Sequence, residues 1–456
     1  MRRVFVAAGL GLGGCNALSG VGDFEVVPGA TSTTSAGAGA GGAASSSANG
    51  GATSSSGNGG SGSGAGGAGG CSKSSECASE ACIGGACATI VQIAAGTGFA
   101  CAVLADGTAH CWGRNQSGQL GDGTKAPHFV PAPVQGLADV VEIAVSRAAG
   151  EGSDAHACAR SRDGAVRCWG DNGDGQLGLG SVGDQTLVPA LVSLPGPATR
   201  IATGGRHTCA IVAETVHCWG SDAQGQVGDG GDVGGVVPEP ALVRDDALDV
   251  ALGEDFGCML VKVTGMVECW GANQRKQLGS AFPGESSGAP LLVPGTGAVA
   301  IAAGRDFACA VKSPSAVKCW GENNNGELAT KQTGPPDAPP VDATALAEVD
   351  ALALGVRMGG AKRGGHGCML QVGGSVACWG DAEAGQIGNG TVDDFVLEPA
   401  TASLSGPATS VSAGVSFTCA LLASGALRCW GENQQGQLGT GMSGGAQPAP
   451  VPVAWP

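Results

Sequence analysis

From about residue 89 onward the apolar positions fall in short runs broken by glycine-rich polar turns, and one plan recurs seven times. A run such as Ile90-Val91-Gln92-Ile93-Ala94 predicts a strand, and after a glycine a second strand passes through a cysteine, here Cys101. A short turn leads to a third strand that ends in Cys-Trp-Gly. The polar turn Asn115-Gln116-Ser117-Gly118-Gln119-Leu120-Gly121 then precedes a Pro-Val strand, Val130 to Val134. Four short strands punctuated in this way predict one propeller blade. Such a blade is too small to bury its own faces, so seven must stack and close into a ring. The Cys-Trp-Gly units, at Cys111, Cys168, Cys218, Cys269, Cys319, Cys378 and Cys429, lie 57, 50, 51, 50, 59 and 51 residues apart, a period that marks a repeat architecture. The predicted fold class is all-β, a seven-bladed β-propeller of four-stranded blades over residues 89–456.

Each repeat has an earlier cysteine 9 to 11 residues upstream: Cys101, Cys158, Cys209, Cys258, Cys309, Cys368 and Cys419. Cys101 and Cys111 flank the three-residue hairpin loop Ala105-Asp106-Gly107, and counting back along both strands sets them opposite each other. Where the spacing falls to nine, a two-residue loop (Ala213-Glu214) again opposes Cys209 and Cys218; where it rises to eleven, a four-residue loop opposes Cys258 and Cys269. Directly opposed residues on antiparallel strands stand about 4.5–5.5 Å apart at Cα, inside the disulfide range. One disulfide per blade is expected, against the alternative of reduced cysteines acting as small core residues. Each closure of about eleven residues is worth roughly 3 kcal/mol in the chain-entropy model.

The tryptophan after each second cysteine (Trp112, Trp169, Trp219, Trp270, Trp320, Trp379, Trp430) points to the other strand face and is expected to fill the gap between blades. Two residues before each first cysteine stands Phe99, His156, His207, Phe256, Phe307, His366 or Phe417. A site that exchanges His for Phe within one chain needs a flat ring, not a proton donor or a metal ligand.

The pattern G-x-x-H-x-C-A…G-x-V-x-C-W-G-x-N-x-x-G-Q-L-G resembles the repeat of the regulator of chromosome condensation family over roughly residues 89–453, with matching turns at Gly118–Gly121, Gly175–Gly178, Gly385–Gly388 and Gly436–Gly439. The resemblance implies a seven-bladed propeller. It also implies a family whose members act as guanine nucleotide exchange factors or chromatin binders, and in one secreted bacterial case bind an enzyme through one propeller face. Exchange activity is not carried over: this chain reads as exported and acidic, and its paired cysteines are absent from the nuclear pattern. Two turns depart from the repeat, with Lys276 in place of the first glycine and Ala329 in place of the last.

The amino-terminal fifth is different in kind. A basic start (Met1-Arg2-Arg3) and an apolar run (Val4 to Leu12) read as a signal peptide, residues 1–14, and Leu12-Gly13-Gly14-Cys15 resembles a bacterial lipobox with Cys15 as the lipid anchor. Residues 15–70 read as a disordered tether rich in Gly, Ser and Ala, unable to bury enough apolar surface to offset its ordering entropy. As a coil it would span about 40 Å. A Cys-rich module, residues 71–88, follows; Cys71, Cys77, Cys82 and Cys87 predict two local disulfides rather than a zinc site, with three connectivities open. Nineteen cysteines indicate an oxidising, extracytoplasmic setting, membrane-anchored at the cell envelope or cell surface. A net charge of −16 argues against nucleic acid or an anionic bilayer as the partner, leaving the lipid anchor as the membrane contact.

All the extra length of repeats two and six falls in the loop between the first and second strands. Insertions of this kind map to one face of a repeat protein, often the binding face. Residues 147–155 carry Arg147, Glu151 and Asp154; residues 356–365 carry Arg357, Met358, Lys362 and Arg363. These are the candidate binding-loop residues, set against neutral drift in exposed loops. No P-loop, H-E-x-x-H or G-x-S-x-G motif is present, and Asp171-Asn172-Gly173-Asp174-Gly175 lacks the bidentate glutamate of a calcium loop. No catalytic residue, metal or cofactor is called for. The function expected is an exported, surface-anchored lipoprotein whose propeller scaffolds a protein–protein interaction through one face. The alternatives are a propeller-type lyase or glycan hydrolase and a carbohydrate-binding or adhesive module. Pro448 to Val453 repeats the Pro-Val strand and is expected to share one blade with Ile90 to Ala94, closing the ring.

Overall fold

The computed structural model describes residues 71–456 apart from 149–154, 232, 314, 335–339 and 358–363. The signal peptide, Cys15 and the tether lie outside the described residues. Seven four-stranded antiparallel sheets follow one another along the chain, each a simple meander. Blade one consists of Ile90–Ala95, Phe99–Leu104, Ala109–Gly113 and His128–Pro133. The first strands of later blades are Val140–Val145, Ala198–Thr203, Ala247–Leu252, Ala300–Ala303, Val349–Leu354 and Ala408–Ala413. They adjoin one another around the axis, and the last adjoins Ile90–Ala95, so the first strand of every blade is innermost and the fourth outermost. Blade five is the thinnest at its rim, its fourth strand being only Val341–Asp342.

The seven cysteine pairs oppose each other in register and form disulfides, with Cα separations of 4.0–4.1 Å. A rule missed in the sequence accompanies them. The inner-strand residue facing each first cysteine is Ala94, Ala144, Ala202, Ala251, Ala302, Ala353 or Ser412. Strands converge towards the axis, and only a small side chain fits between the disulfide and the neighbouring blade. The blade–blade layers are filled by the seven tryptophans, all no more than 2% exposed. Each indole N–H also donates, at 2.8–2.9 Å, to a turn carbonyl of the preceding blade, from Trp169 to Gln119 through Trp430 to Gln386.

Ring closure corrects the shared-blade expectation. Gly444–Pro452 pairs within blade seven (Cys429↔Val451), while Ile90–Ala95 pairs within blade one (Ala94↔Cys101). Each completes a four-stranded sheet with the three strands next to it in the chain, so the two belong to different blades. The seam instead repeats the ordinary blade–blade contact: Trp112 donates to Gln437 O at 2.9 Å, Ala95 N to Ser412 Oγ at 3.0 Å and Val415 N to Gly96 O at 3.0 Å. Trp455, unplaced by the repeat pattern, is 7% exposed and packs edge-on against His110 and Trp112.

The Cys-rich module joins Cys71 to Cys82 and Cys77 to Cys87. It sits on the same seam: Ala81 is buried in one cluster with Ile90, Leu427 and Trp455, and Glu80 makes a two-pronged pair with Arg428 at 2.8 and 2.9 Å. Among the described residues no helix is long and apolar enough to cross a membrane.

Candidate binding face at the channel mouth

Because each blade is a meander, the loop between strands one and two and the turn between strands three and four emerge at the same end. That end is the mouth on which both insertions lie. Its rim is stitched by backbone bonds from blade to blade: Thr97 N to Ser146 O (3.0 Å), Gly205 N to Glu254 O (3.0 Å), Glu254 N to Arg305 O (3.0 Å) and Val356 N to Gly414 O (3.1 Å). The scaffold beneath any ligand is therefore rigid.

Of the seven loop residues singled out in the sequence, Arg147 and Arg357 are described; Glu151, Asp154, Met358, Lys362 and Arg363 lie outside the described residues. Arg147 does not face outward. It is 6% exposed and reaches across the axis, donating to Leu354 O of blade six at 2.6 Å and to Leu252 O of blade four at 3.2 Å. The inner-strand carbonyls at the mouth have no further strand to pair with, and one planar guanidinium serves two of them. Arg357 is largely buried at the rim, its side chain 14% exposed, with Nη1 3.3 Å from Asp381 Oδ2 and Nη2 hydrogen-bonded to Glu383. Arg147 is thus a channel plug and Arg357 a rim residue.

The flat-ring position is fully buried at all seven sites. His156 Nε2 meets Thr208 Oγ1 at 2.8 Å and His366 Nε2 meets Thr418 Oγ1 at 2.9 Å; each hydroxyl donates onward to the carbonyl of Gln176 or Gln386. The imidazoles therefore donate from Nε2. The following blade carries threonine in those two places and Ala or Gly after every Phe. His207 is the exception: Gly257 stands where a threonine would, neither ring nitrogen makes a hydrogen bond of good geometry, and the nearby Phe256 backbone offers only a weak interaction. Burial pushes His207 and His366 down to about 3, so both stay neutral at physiological pH.

In each turn the glutamine folds back, its Oε1 accepting a backbone N–H two residues earlier at 2.7–2.9 Å. The amide Nε2 is left to find a partner. Gln226 donates to Asp255 Oδ1 (3.3 Å) and Gln277 to Asp306 Oδ1 (3.2 Å), both carboxylates of the next blade. Where the next blade offers Ala155 or Gly98, the amides of Gln119 and Gln437 have no partner. Blade five inverts the chemistry: the turn carries Glu327, and the next blade offers Gly365, whose N–H donates to Glu327 Oε1 at 3.3 Å.

The result is a mouth belt of acids interleaved with arginines. Arg305 Nε lies 2.7 Å from Glu254 and 3.3 Å from Asp306; Arg206 lies 3.7 Å from Asp174 and Arg275 3.9 Å from Glu322. Burial, and then neighbouring carboxylates, pushes Asp255 up to about 6 and Asp306 up to about 7; burial pushes Glu327 up to about 8. Asp306 and Glu327 are sealed under the turns, so they do not present an acid–base pair to a substrate. The faint calcium-loop segment is an ordinary turn in which Asp171 accepts from Gly173 N and Gln176 Nε2.

Comparisons with known proteins follow the same lines. Profiles described as "Regulator of chromosome condensation (RCC1) repeat" match residues 106–151 and 163–211, and 90–119, 298–327 and 408–437. The ultraviolet-B receptor UVR8 of Arabidopsis thaliana is 37% identical over 124 residues, 27% of each chain. The E3 ubiquitin-protein ligase HERC2 of Homo sapiens is 29% identical over 194 residues, 41% of this chain and 4% of that one. The chain thus spans only a small part of these curated relatives. Among solved structures, Prp20p of Saccharomyces cerevisiae superposes with a TM-score of 0.65 at 20% identity, covering 76% of this chain and 86% of that one. Human WBSCR16 gives 0.65 at 21%, covering 76% and 95%. At these identities the likeness is one of fold.

Proposed function

For a propeller that carries repeats of the regulator of chromosome condensation family, we propose a protein-interaction scaffold that binds its partner through the channel-mouth face. The observation that supports it most directly is the convergence of both insertions and the charged belt on one rigid, stitched rim. Prp20p, of the same fold, is described by its binding to Gsp1p and histones, which shows the architecture suits protein partners. The partner here would sit at the cell envelope or outside: the nine disulfides favour an oxidising setting, and Cys15 would supply the membrane anchor. Phe395 is the one aromatic side chain among the strongly exposed apolar residues described, which leaves an adhesive or sugar-stacking surface without its usual platform.

The test is affinity capture from envelope and culture-fluid extracts. One bait is the whole chain; the other has residues 149–154 and 358–363 shortened but keeps Arg147 and Arg357, so that the channel plug and rim pairs survive. A protein held by the first and lost from the second supports mouth-face binding. Equal retention by both baits removes the insertions from the interface, and retention of nothing removes the proposal.

A further inference from the structure

Between blades two and five the mouth is indented by a cleft of about 290 Å³, whose polar lining is Arg206, Ser221, Gln224, Gln226, Glu254, Asp255 and Arg305. Its two guanidiniums are already engaged: Arg305 faces Glu254 and Asp306, and Arg206 faces Asp174. Asp255 is served differently. Its described hydrogen bond is the long one from the neutral Gln226 amide, and it forms no ion pair within 4.0 Å among the described residues. Burial, and then the adjoining Glu254, hold its proton more tightly than usual, outweighing the opposing pull of Arg206 and Arg305, which act on it from beyond ion-pair distance. A second feature points the same way. Ser221 is 4% exposed and lines the cleft; its hydroxyl makes no side-chain hydrogen bond among the described residues and, unlike the sealed orphan atoms of the core, is open to the cleft. A buried hydroxyl left open into a cleft is an unfilled acceptor or donor.

We infer that this cleft receives the ammonium or guanidinium group of a single lysine or arginine side chain of a protein partner, with Asp255 as counter-ion and Ser221 Oγ as a further acceptor, an inference that rests on the mouth being the binding face. An anionic side chain is disfavoured, because it would have to take the arginines from Glu254, Asp306 and Asp174. A neutral apolar side chain would leave both Asp255 and the Ser221 hydroxyl desolvated and unpaired, which is costly. A cationic head with an apolar stem suits both, the stem passing Ala148 and Ala223 at the cleft wall.

The test needs no identified partner. Isotope-labelled full chain is titrated to about 50 mM with the methylamides of Nα-acetyl-lysine, Nα-acetyl-arginine, Nα-acetyl-glutamate and Nα-acetyl-norleucine, a range that captures affinities on the order of millimolar. Saturable NMR shifts at Ser221, Gln226 and Asp255 are expected with the cationic probes alone. Asp255→Asn keeps an oxygen for the Gln226 amide and should weaken them about tenfold, the difference between a charge-assisted and a neutral hydrogen bond. Ser221→Ala should weaken them a few-fold, with a Tm no lower than wild type for each variant as the folding control. Flat titrations, equal binding by Asp255→Asn, or a preference for the glutamate or norleucine probe would each overturn the inference. Because the probe assay and the capture assay are independent, a captured partner with a silent cleft sinks only this inference. Cationic probes bound with no captured partner would sink the larger proposal and with it the partner assigned to the cleft.

Discussion

His207 offers a substitution whose effect the structure fixes in sign. The ring lies over Gly204 as Phe256 lies over Gly253: a Cβ added at either glycine would meet the ring Cε1, at 2.2 and 2.0 Å. The site is therefore shaped for a phenyl ring, yet it holds an imidazole whose nitrogens make no well-formed hydrogen bond and have at most a weak contact with the Phe256 backbone. His207→Phe removes those stranded polar atoms, each worth about 1–3 kcal/mol of desolvation, and adds a slightly larger ring to a place that accepts it in four other blades. A net gain of about 1–2 kcal/mol is expected at pH 7.5. The gain should grow in acid. With the folded value near 3 against an ordinary 6.5, the unfolded chain binds the His207 proton first as pH falls. Wild-type stability erodes from pH 6.5 downward by about 1.4 kcal/mol per pH unit, until the folded ring titrates near 3. At pH 5 that is about 2 kcal/mol, which the variant does not lose. Asp306 and Glu327 act with the opposite sign, since their folded values near 7 and 8 penalise the native state at high pH and relieve it on acidification. They are common to both proteins and cancel in the difference. Guanidinium unfolding of wild type and variant at pH 7.5 and 5.0, disulfides intact, measures it. A variant less stable at pH 7.5, or an equal difference at both pH values, refutes the reasoning. The control is His366→Phe, which removes the ring N–H that Thr418 Oγ1 accepts and should cost about 1 kcal/mol at pH 7.5.

Arg147→Met leaves the carbonyls of Leu252 and Leu354 unserved and should destabilise by about 2–4 kcal/mol in denaturant titrations; Arg147→Lys should not restore it, since one ammonium does not reproduce the fork. Gly439→Ala places a Cβ 2.8 Å from Trp112 Nε1 at a φ of +66°, and should cost about 2 kcal/mol by thermal unfolding, whereas Gly390→Ala, with φ +91° but nothing within 4 Å, should cost about 1. Under mild reductant in native buffer, alkylation followed by peptide mass mapping should label Cys71 and Cys87 first, because those are half-buried while every blade cysteine is at most 1% exposed. Labelling of blade cysteines at the same rate would mean that the blades open far more readily than their packing allows.

What the sequence made legible was whatever the repeat wrote seven times. The period located the blades, hairpin arithmetic located the disulfides, and Phe–His exchange marked a buried ring site, although two of its three histidines also use a ring proton. What it left unread were relations between one repeat and the next. The threonine that follows His156 and His366 by 52 residues was visible as a correlation, but it has meaning only once those positions face each other across a blade boundary. Arg147 was misplaced for the same reason: a charge in an inserted loop is by default solvated, and nothing local reveals that carbonyls of blades four and six converge within its reach. Trp455 and the docking of the Cys-rich module carry no repeat signal, since they exist once.

The same distinction bears on where function resides. A position repeated in every blade is used up by closing the ring, as Trp112 and its six equivalents are. Specific recognition must come from places where the repeat is broken and the break is not compensated. The exchange of Gln and Asp for Glu327 and Gly365 is compensated, donor for acceptor, and so reads as structure. The orphaned amides of Gln119 and Gln437 are uncompensated, but they are buried without an opening. Ser221 stands where five other blades carry a charge (Arg114, Asp171, Glu322, Asp381 and Glu432), and beside Asp255 that break is uncompensated and opens onto a cleft. Of the departures from the repeat on this face, that one leaves charge and hydrogen-bonding capacity for another molecule to satisfy.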